Sequence, residues 1–184
     1  MKNLLLYSFI LILFITSCGK DLPAPINDEE LITTLRLEFI SQNPTETKII
    51  QFQDLDGDGG NPPVYQADTL RANTNYTCRL YVLNESVNPP SAINQEILEE
   101  GIDHQFFFLE QNGLNLNITY NDLDGNQNPI GLINYAITQG ASEGNLTVIL
   151  RHQGDKFATG ASIGDISNVG GSTDIEVVFE VVIE

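Results

Sequence analysis

The sequence is poor in three kinds of residue that often decide function: it has no tryptophan, two cysteines and eight basic residues. Without tryptophan, the Cys…Trp…Cys pattern of antibody domains is absent and a glycan-binding aromatic platform is poorly supported. Two cysteines allow one intramolecular disulfide at most. The 25 acidic residues bring the formal charge to −17. Such a surface repels nucleic acid, which we therefore exclude as a partner.

The first 17 residues have the layout of a secretory signal peptide. Lys2 supplies one positive charge, and the run Leu4–Ile15 is almost entirely apolar. This run is too short to span a bilayer, which needs about 20 apolar residues. It fits the apolar region of a signal that is removed after export.

Residues 15–18 read Ile-Thr-Ser-Cys and resemble a lipobox, where a diacylglyceryl group is attached to the cysteine and the signal is cut off. The sequence therefore predicts a bacterial lipoprotein that is cleaved before Cys18 and anchored to the membrane by acyl chains on Cys18. The alternative is an ordinary signal peptide in which Cys18 is incidental.

Residues 18–30, rich in proline and acid, predict a flexible tether. Lys20-Asp21 resembles a surface-export signal of Bacteroidetes lipoproteins, so we expect the outer membrane, with the surface or periplasmic face left open.

Residues 31–184 alternate apolar and polar side chains in many short segments, which predicts a domain built from strands. The clearest segment is Ile175–Ile183, in which Glu176 and Glu180 oppose the apolar positions. The only helix-like stretch is Ala92–Gly101. Eight or nine strands with frequent turn signals predict an all-β fold, for which we favour an immunoglobulin-like β-sandwich. The other predicted strands are residues 35–39, 50–53, 64–70, 76–82, 104–110, 116–120, 132–138 and 146–152.

Two further features follow from the same pattern. Cys78 alternates with Tyr76 and Leu80, so we expect a buried structural thiol rather than a reactive one. Gln153–Thr173 predicts a long loop, and loops of this length are often functional or mobile.

Two acidic segments share a pattern that suits a hard cation. Residues 54–62 read Asp-Leu-Asp-Gly-Asp-Gly-Gly-Asn-Pro, and residues 122–129 read Asp-Leu-Asp-Gly-Asn-Gln-Asn-Pro. Oxygen side chains at alternate positions of a turning loop can converge on Ca²⁺. The alternative is that both are ordinary Asp/Asn/Gly turns. A true EF-hand is not expected, because Tyr65 stands where a bidentate Glu belongs. The candidate Ca²⁺ ligands are Asp54, Asp56, Asp58, Asp122, Asp124 and Asn126.

The two histidines, His104 and His152, stand at the ends of predicted strands. His104 follows several acidic residues, and His152 is followed by Asp155 and Lys156. If the fold brings these strand ends together, two imidazoles and a carboxylate would suit Zn²⁺. The alternative is that each histidine is a polar residue at a strand boundary.

Three segments carry a resemblance to a known family. Residues 52–60 read Phe-Gln-Asp-Leu-Asp-Gly-Asp-Gly-Gly, residues 104–108 read His-Gln-Phe-Phe-Phe, and residues 170–177 read Gly-Gly-Ser-Thr-Asp-Ile-Glu-Val. Together they resemble a family of small Bacteroidetes lipoproteins that often carry the automatic label "type 1 periplasmic binding fold superfamily protein". That label implies an α/β solute-binding fold, against which the predicted strands argue. The resemblance also implies a TonB-dependent receptor as partner, with a role in nutrient or metal uptake, and it supplies no catalytic residues.

The leading hypothesis from the sequence is a non-enzymatic, lipid-anchored β-sandwich that binds a ligand or partner at the outer membrane, with Ca²⁺ in its acidic loops. The second is a metal-capture accessory to an uptake receptor that holds Zn²⁺ at His104 and His152. A small hydrolase ranks third, because the chain has neither a Gly-x-Ser-x-Gly elbow nor a glycine-rich phosphate loop.

Overall fold

The computed structural model describes residues 31–57 and 60–184. The predicted signal peptide (1–17), the lipidation site Cys18, the tether (18–30) and the candidate ligand Asp58 lie outside the described residues. Within the described ranges, no helix combines the length and the hydropathy that a bilayer crossing requires.

The described residues form ten strands, one α-helix and one short 3₁₀-helix, and the prediction of an all-β sandwich is confirmed. The strand that the sequence did not predict, β5, has two residues, too few to show an alternating pattern. In chain order the elements are β1 (Thr34–Gln42), β2 (Thr45–Gln53), β3 (Val64–Ala67), β4 (Asn75–Asn84), β5 (Ser91–Ala92), α1 (Ile93–Glu99), β6 (His104–Gln111), β7 (Leu116–Tyr120), β8 (Ile133–Thr138), β9 (Ser142–His152), the 3₁₀-helix (Ala161–Ile163) and β10 (Ser172–Ile183).

The strands form two sheets in which all paired strands are antiparallel. The large sheet has the order β3-β2-β1-β4-β8-β7, and β5 pairs with one end of β4. The small sheet has the order β10-β9-β6. Strands β6 and β7 are consecutive in the chain, yet they belong to different sheets.

The core lies between the sheets and is filled by alternate residues of the strands. In β1, Leu35, Leu37 and Phe39 are fully buried, while in β10 Val177 and Phe179 are buried. Each such side chain contributes roughly 1.5–3 kcal/mol relative to an exposed one. The sequence therefore alternates apolar and polar residues because one face of each strand packs against this core and the other does not.

Cys78 lies in the same core, as predicted. It is fully buried, and burial raises the pKa of its thiol because the thiolate would lose its hydration. Such a group is inert toward oxidants and metals in the folded state.

The long loop after β9 covers the outer face of the small sheet. Residues 153–171 cross this face, and Ala161 and Val169 pack there against Phe107 and Ile149. Strands β6 and β9 are therefore covered on both faces, which explains the unbroken run of buried residues at the start of β6. Ile163, in the same loop, is 85% exposed.

Candidate functional site

The two histidines meet on the small sheet. His104 is the first residue of β6 and His152 is the last residue of β9, and the two are directly opposite in register. Directly opposite residues project from the same face of a sheet. The imidazole rings stack with their centroids 4.6 Å apart and 7° between their planes, and both side chains are buried. The fold thus brings together the strand ends whose proximity the Zn²⁺ hypothesis requires.

Asp174 adds a carboxylate to the histidine pair. Its Oδ2 lies 3.6 Å from His104 Nε2, and its Oδ1 lies 3.9 Å from His152 Nδ1. Asp174 occupies an irregularity in β10. Thr173 pairs with Arg151 and Ile175 pairs with Leu150, so Asp174 is an extra residue in the register of β10 with β9. An extra residue of this kind redirects its side chain, and such bulges often lie beside functional sites.

The backbone fixes the proton on one nitrogen of His104. His104 Nδ1 lies 3.2 Å from the carbonyl oxygen of Glu100, and a carbonyl can only accept a hydrogen bond. Nδ1 therefore carries the proton, and in the neutral ring the lone pair stands on Nε2. That lone pair faces the Asp174 carboxylate, and a positive charge between the two groups would be attracted to both.

The surroundings of His104 disfavour its protonation, so a second proton on the ring is not the expected source of that positive charge. Burial lowers the pKa of His104, and the nearby His152 lowers it further, while the hydrogen bond to Glu100 and the charge of Asp174 act in the opposite direction. The net result is a lowered pKa. A neutral imidazole beside a carboxylate is the state in which histidine binds metal ions.

Glu100 brings a second carboxylate within reach. It is the C-cap residue of α1, and its side chain is exposed. Over the described part of the chain, one group of three or more potential metal ligands is found: Glu100, His104 and His152, with ligand atoms all within 4.8 Å of one another. Asp174 is not a member of this group, but it contacts both histidines, whereas Glu100 is the exposed member.

The donor set fits Zn²⁺ better than Ca²⁺. Imidazole nitrogen suits Zn²⁺ and similar d-block cations, whereas Ca²⁺ takes oxygen ligands. Because Zn–N bonds are about 2.0–2.1 Å, two nitrogens on one ion stand no more than about 4.2 Å apart. In the group of Glu100, His104 and His152, the two ligand nitrogens must therefore approach each other by less than about 1 Å. A metal also binds in the plane of the imidazole, so one of the two parallel rings must tilt.

Part of this site was predicted from the sequence: His104 and His152 were candidate ligands, and Glu100 is among the acidic residues that precede His104. Asp174 was not predicted, because the strand pattern around Thr173 and Ile175 places it on the outward-facing side. Only the change of register in β10 turns that side chain toward the histidines.

In the first acidic loop, the carboxylates of Asp54 and Asp56 accept hydrogen bonds from groups of the same loop. Asp54 Oδ1 accepts a hydrogen bond from the Gly57 N–H at 2.9 Å. Asp56 Oδ2 accepts hydrogen bonds from the backbone and the side-chain amide of Asn61, which lower the pKa of Asp56. Such contacts are typical of Asp in turns. The Ca²⁺ hypothesis for Asp54, Asp56 and Asp58 stays a prediction.

In the second acidic loop, Asp122 serves as a hub for the backbone. Its two carboxylate oxygens accept the N–H groups of residues 131, 132 and 133 at 2.8, 2.8 and 2.9 Å. These bonds hold the start of β8 against the loop. A cation bound to this carboxylate would have to displace backbone N–H donors. A buried N–H group without an acceptor destabilises the fold.

Asp124 in the same loop already has a cationic partner. Its Oδ1 accepts the N–H groups of Asn126 and Asn128, and its Oδ2 lies 2.8 Å from Lys156 Nζ. Burial raises the pKa of Asp124, but Lys156 and the two amides more than offset that effect, so the pKa is lowered. This geometry favours a structural turn over the predicted Ca²⁺ site at Asp122, Asp124 and Asn126.

Comparison with known proteins gives no relative from which a role could be transferred: no protein-family model, no curated protein and no solved structure matches this chain.

Proposed function

We propose that this chain is a non-enzymatic, lipid-anchored protein of the cell envelope that captures a d-block divalent cation, with Zn²⁺ the best fit. His104 and His152 supply the nitrogen ligands. Asp174 supplies a buried carboxylate, and Glu100 supplies an exposed one at the entrance. The lipid anchor is the predicted one on Cys18.

One observation carries the metal proposal: His104 Nε2 lies 3.6 Å from the Asp174 carboxylate, while His104 Nδ1 lies 3.2 Å from the carbonyl oxygen of Glu100. A cation between the two groups would be attracted to both. The hydrogen bond from Nδ1 is the type of outer contact that orients metal-binding histidines.

The exposed Glu100 supports capture and release rather than permanent structural binding. A structural Zn²⁺ site is closed by protein ligands, whereas this site has one ligand in solvent. A site of this kind can pass its ion to another protein. A TonB-dependent receptor of the outer membrane, implied by the family resemblance, is the partner that we propose for that transfer.

The test is calorimetric titration of the purified full-length chain with Zn²⁺ and, separately, with Ca²⁺. We expect one Zn²⁺ per chain, with binding lost in His152→Gln and weakened in Glu100→Gln. Glu99→Gln is the matched control, since Glu99 is the neighbouring exposed acid. X-ray absorption at the zinc edge should show two imidazole ligands.

Two results would overturn the proposal. Zn²⁺ binding that is unchanged in His152→Gln would place the metal elsewhere. Absence of saturable Zn²⁺ binding would remove the capture function. A Ca²⁺ response that Asp56→Ala abolishes would instead support the first acidic loop, which the same titration tests independently.

A further inference from the structure

Strands β6 and β7 are joined by a tight turn of the hairpin type, but they separate after the turn and do not pair with each other. Asn112 and Gly113 connect them with positive φ angles of 59° and 84°, as in the type I′ turns that join paired strands. At the turn, the Leu114 N–H donates to the Gln111 carbonyl. Beyond it, β6 pairs with β9 and β7 pairs with β8, and each is the terminal strand of its sheet in the described part of the chain.

Side-chain hydrogen bonds bridge the gap between the two strands. The Ile118 N–H of β7 donates to Glu110 Oε1 of β6 at 3.2 Å. The Tyr120 hydroxyl donates to the Phe106 carbonyl oxygen at 2.8 Å. These two contacts link the strands across the space that a hairpin ladder would fill.

The backbone of both strands faces this gap. The Phe106 N–H donates to the Ile130 carbonyl, away from β9, and the two-residue period of a strand gives the backbone groups of Phe108 and Glu110 the same direction. The Ile118 N–H points into the gap from the other side. The backbone groups of Phe108 and Glu110 thus form a short strand edge, and such an edge is a template for another extended segment.

The gap is a groove of about 730 Å³ with apolar walls and negative charge. Phe108, Ile118 and Ile163 are among its apolar lining residues, and Glu110 and Asp165 are its two carboxylates. None of the described residues that line it is basic. Burial raises the pKa of Glu110, which shows that its charge is costly there and that a cation beside it would lower that cost.

We propose that this β6–β7 groove binds an extended polypeptide segment that carries a lysine or arginine side chain. The backbone of the segment pairs with β6 at Phe108 and Glu110, its apolar side chains contact the walls, and its cation meets the Glu110 carboxylate. This binding function goes beyond the metal site and does not depend on it.

The test is nuclear magnetic resonance titration of the full-length chain with two peptides, Thr-Val-Lys-Val-Thr and Thr-Val-Glu-Val-Thr. We expect the lysine peptide to shift the backbone amide signals of Phe108 and Ile118, and the glutamate peptide to leave them unchanged. In Glu110→Gln, the affinity for the lysine peptide should fall about tenfold, as expected for loss of one charge-assisted hydrogen bond. Glu176→Gln, an exposed acid on β10, is the matched control.

A second variant guards against a structural effect of changing Glu110. Ile163→Ser removes an apolar wall, and because Ile163 is exposed the fold should stay intact. It should weaken peptide binding as well. Equal affinity for both peptides, binding unaffected by either variant, or failure of the lysine peptide to shift the Phe108 signal would overturn the proposal. So would a concentration-dependent dimer in which a second copy occupies the groove.

Discussion

Lys156 Nζ lies 2.8 Å from Asp124 Oδ2, and both side chains are almost completely buried. The same ammonium donates to the carbonyl oxygens of Gly101 and His104 at 2.6 and 2.8 Å. Burial lowers the pKa of Lys156, and Asp124 acts against that shift. One lysine thus connects the long loop, the second acidic loop and the first residue of β6, where the metal site begins.

Replacing Lys156 with Met should destabilise the fold by about 3–5 kcal/mol, because it leaves Asp124 buried without its cation. The free energy of unfolding, measured with urea, tests this. The double variant Lys156→Met/Asp124→Asn should lose less than the sum of the single losses, since the two groups interact directly. Lys48→Met is the control and should change stability by no more than about 0.5 kcal/mol. A loss for Lys156→Met as small as that of the control would contradict the structural role.

Glu110 should make stability depend on pH. Burial raises its pKa above the ordinary value of 4.5, so the folded state holds this proton at a higher pH than the unfolded state. The stability that the protonated group contributes is complete below about pH 4.5 and is lost as the pH rises through the raised folded value. Glu110→Gln should therefore be more stable than the native chain at pH 7, with a difference that shrinks toward pH 4.5. Urea midpoints across this range measure it, and a less stable variant at pH 7 would show that the hydrogen bond from Ile118 outweighs burial.

Two positions in the long loop should respond very differently to the same kind of truncation. Val169 is 3% exposed and packs on the small sheet, whereas Ile163 is 85% exposed. Val169→Ala should cost about 2 kcal/mol through lost burial and the cavity that remains. Ile163→Ala should stay within about 0.5 kcal/mol. Thermal unfolding of the two variants compares them, and equal effects would mean that the loop does not pack as described.

Adjacent glycines before β10 offer a matched pair for backbone strain. Gly170 and Gly171 have φ angles of +64° and +75°, so alanine is strained at both by about 1–2 kcal/mol. A Cβ on Gly170 meets nothing within 4 Å, but one on Gly171 would lie 2.4 Å from the carbonyl oxygen of His152. Gly171→Ala should therefore cost about 1–3 kcal/mol more than Gly170→Ala. Chemical denaturation of both variants gives the difference, and equal losses would exclude the close approach.

Much of the fold was predictable because alternation reports which face of a strand is buried. β10 is the clearest case, with Val177 and Phe179 inside and Glu176 and Glu180 outside. The helix was also placed correctly, since Ile93 and Ile97 are its buried residues and lie one turn apart. Strand β5 was not predictable, because a pair of residues that joins the end of β4 has no period.

The site was predictable only in part, because its geometry depends on pairing between distant strands. The sequence identified His104 and His152 as candidates but gave no register that would bring them together. The position of Asp174 beside the histidines depends on a change of register within β10. The contact of Lys156 with His104 depends on a loop that crosses the sheet. For the second acidic loop, composition alone could not distinguish carboxylates that bind backbone amides from carboxylates that bind a metal.

Strand β1 follows directly after the first described residues and lies between β2 and β4, with which it is in register over nine and seven residue pairs. Tension applied through the chain before Thr34 therefore acts along the axis of a strand that is fastened on both sides. The hydrogen bonds on both edges would carry this load together, in shear, instead of parting one after another from an end. A domain pulled from its amino-terminal side would resist mechanical extension at the middle of its larger sheet.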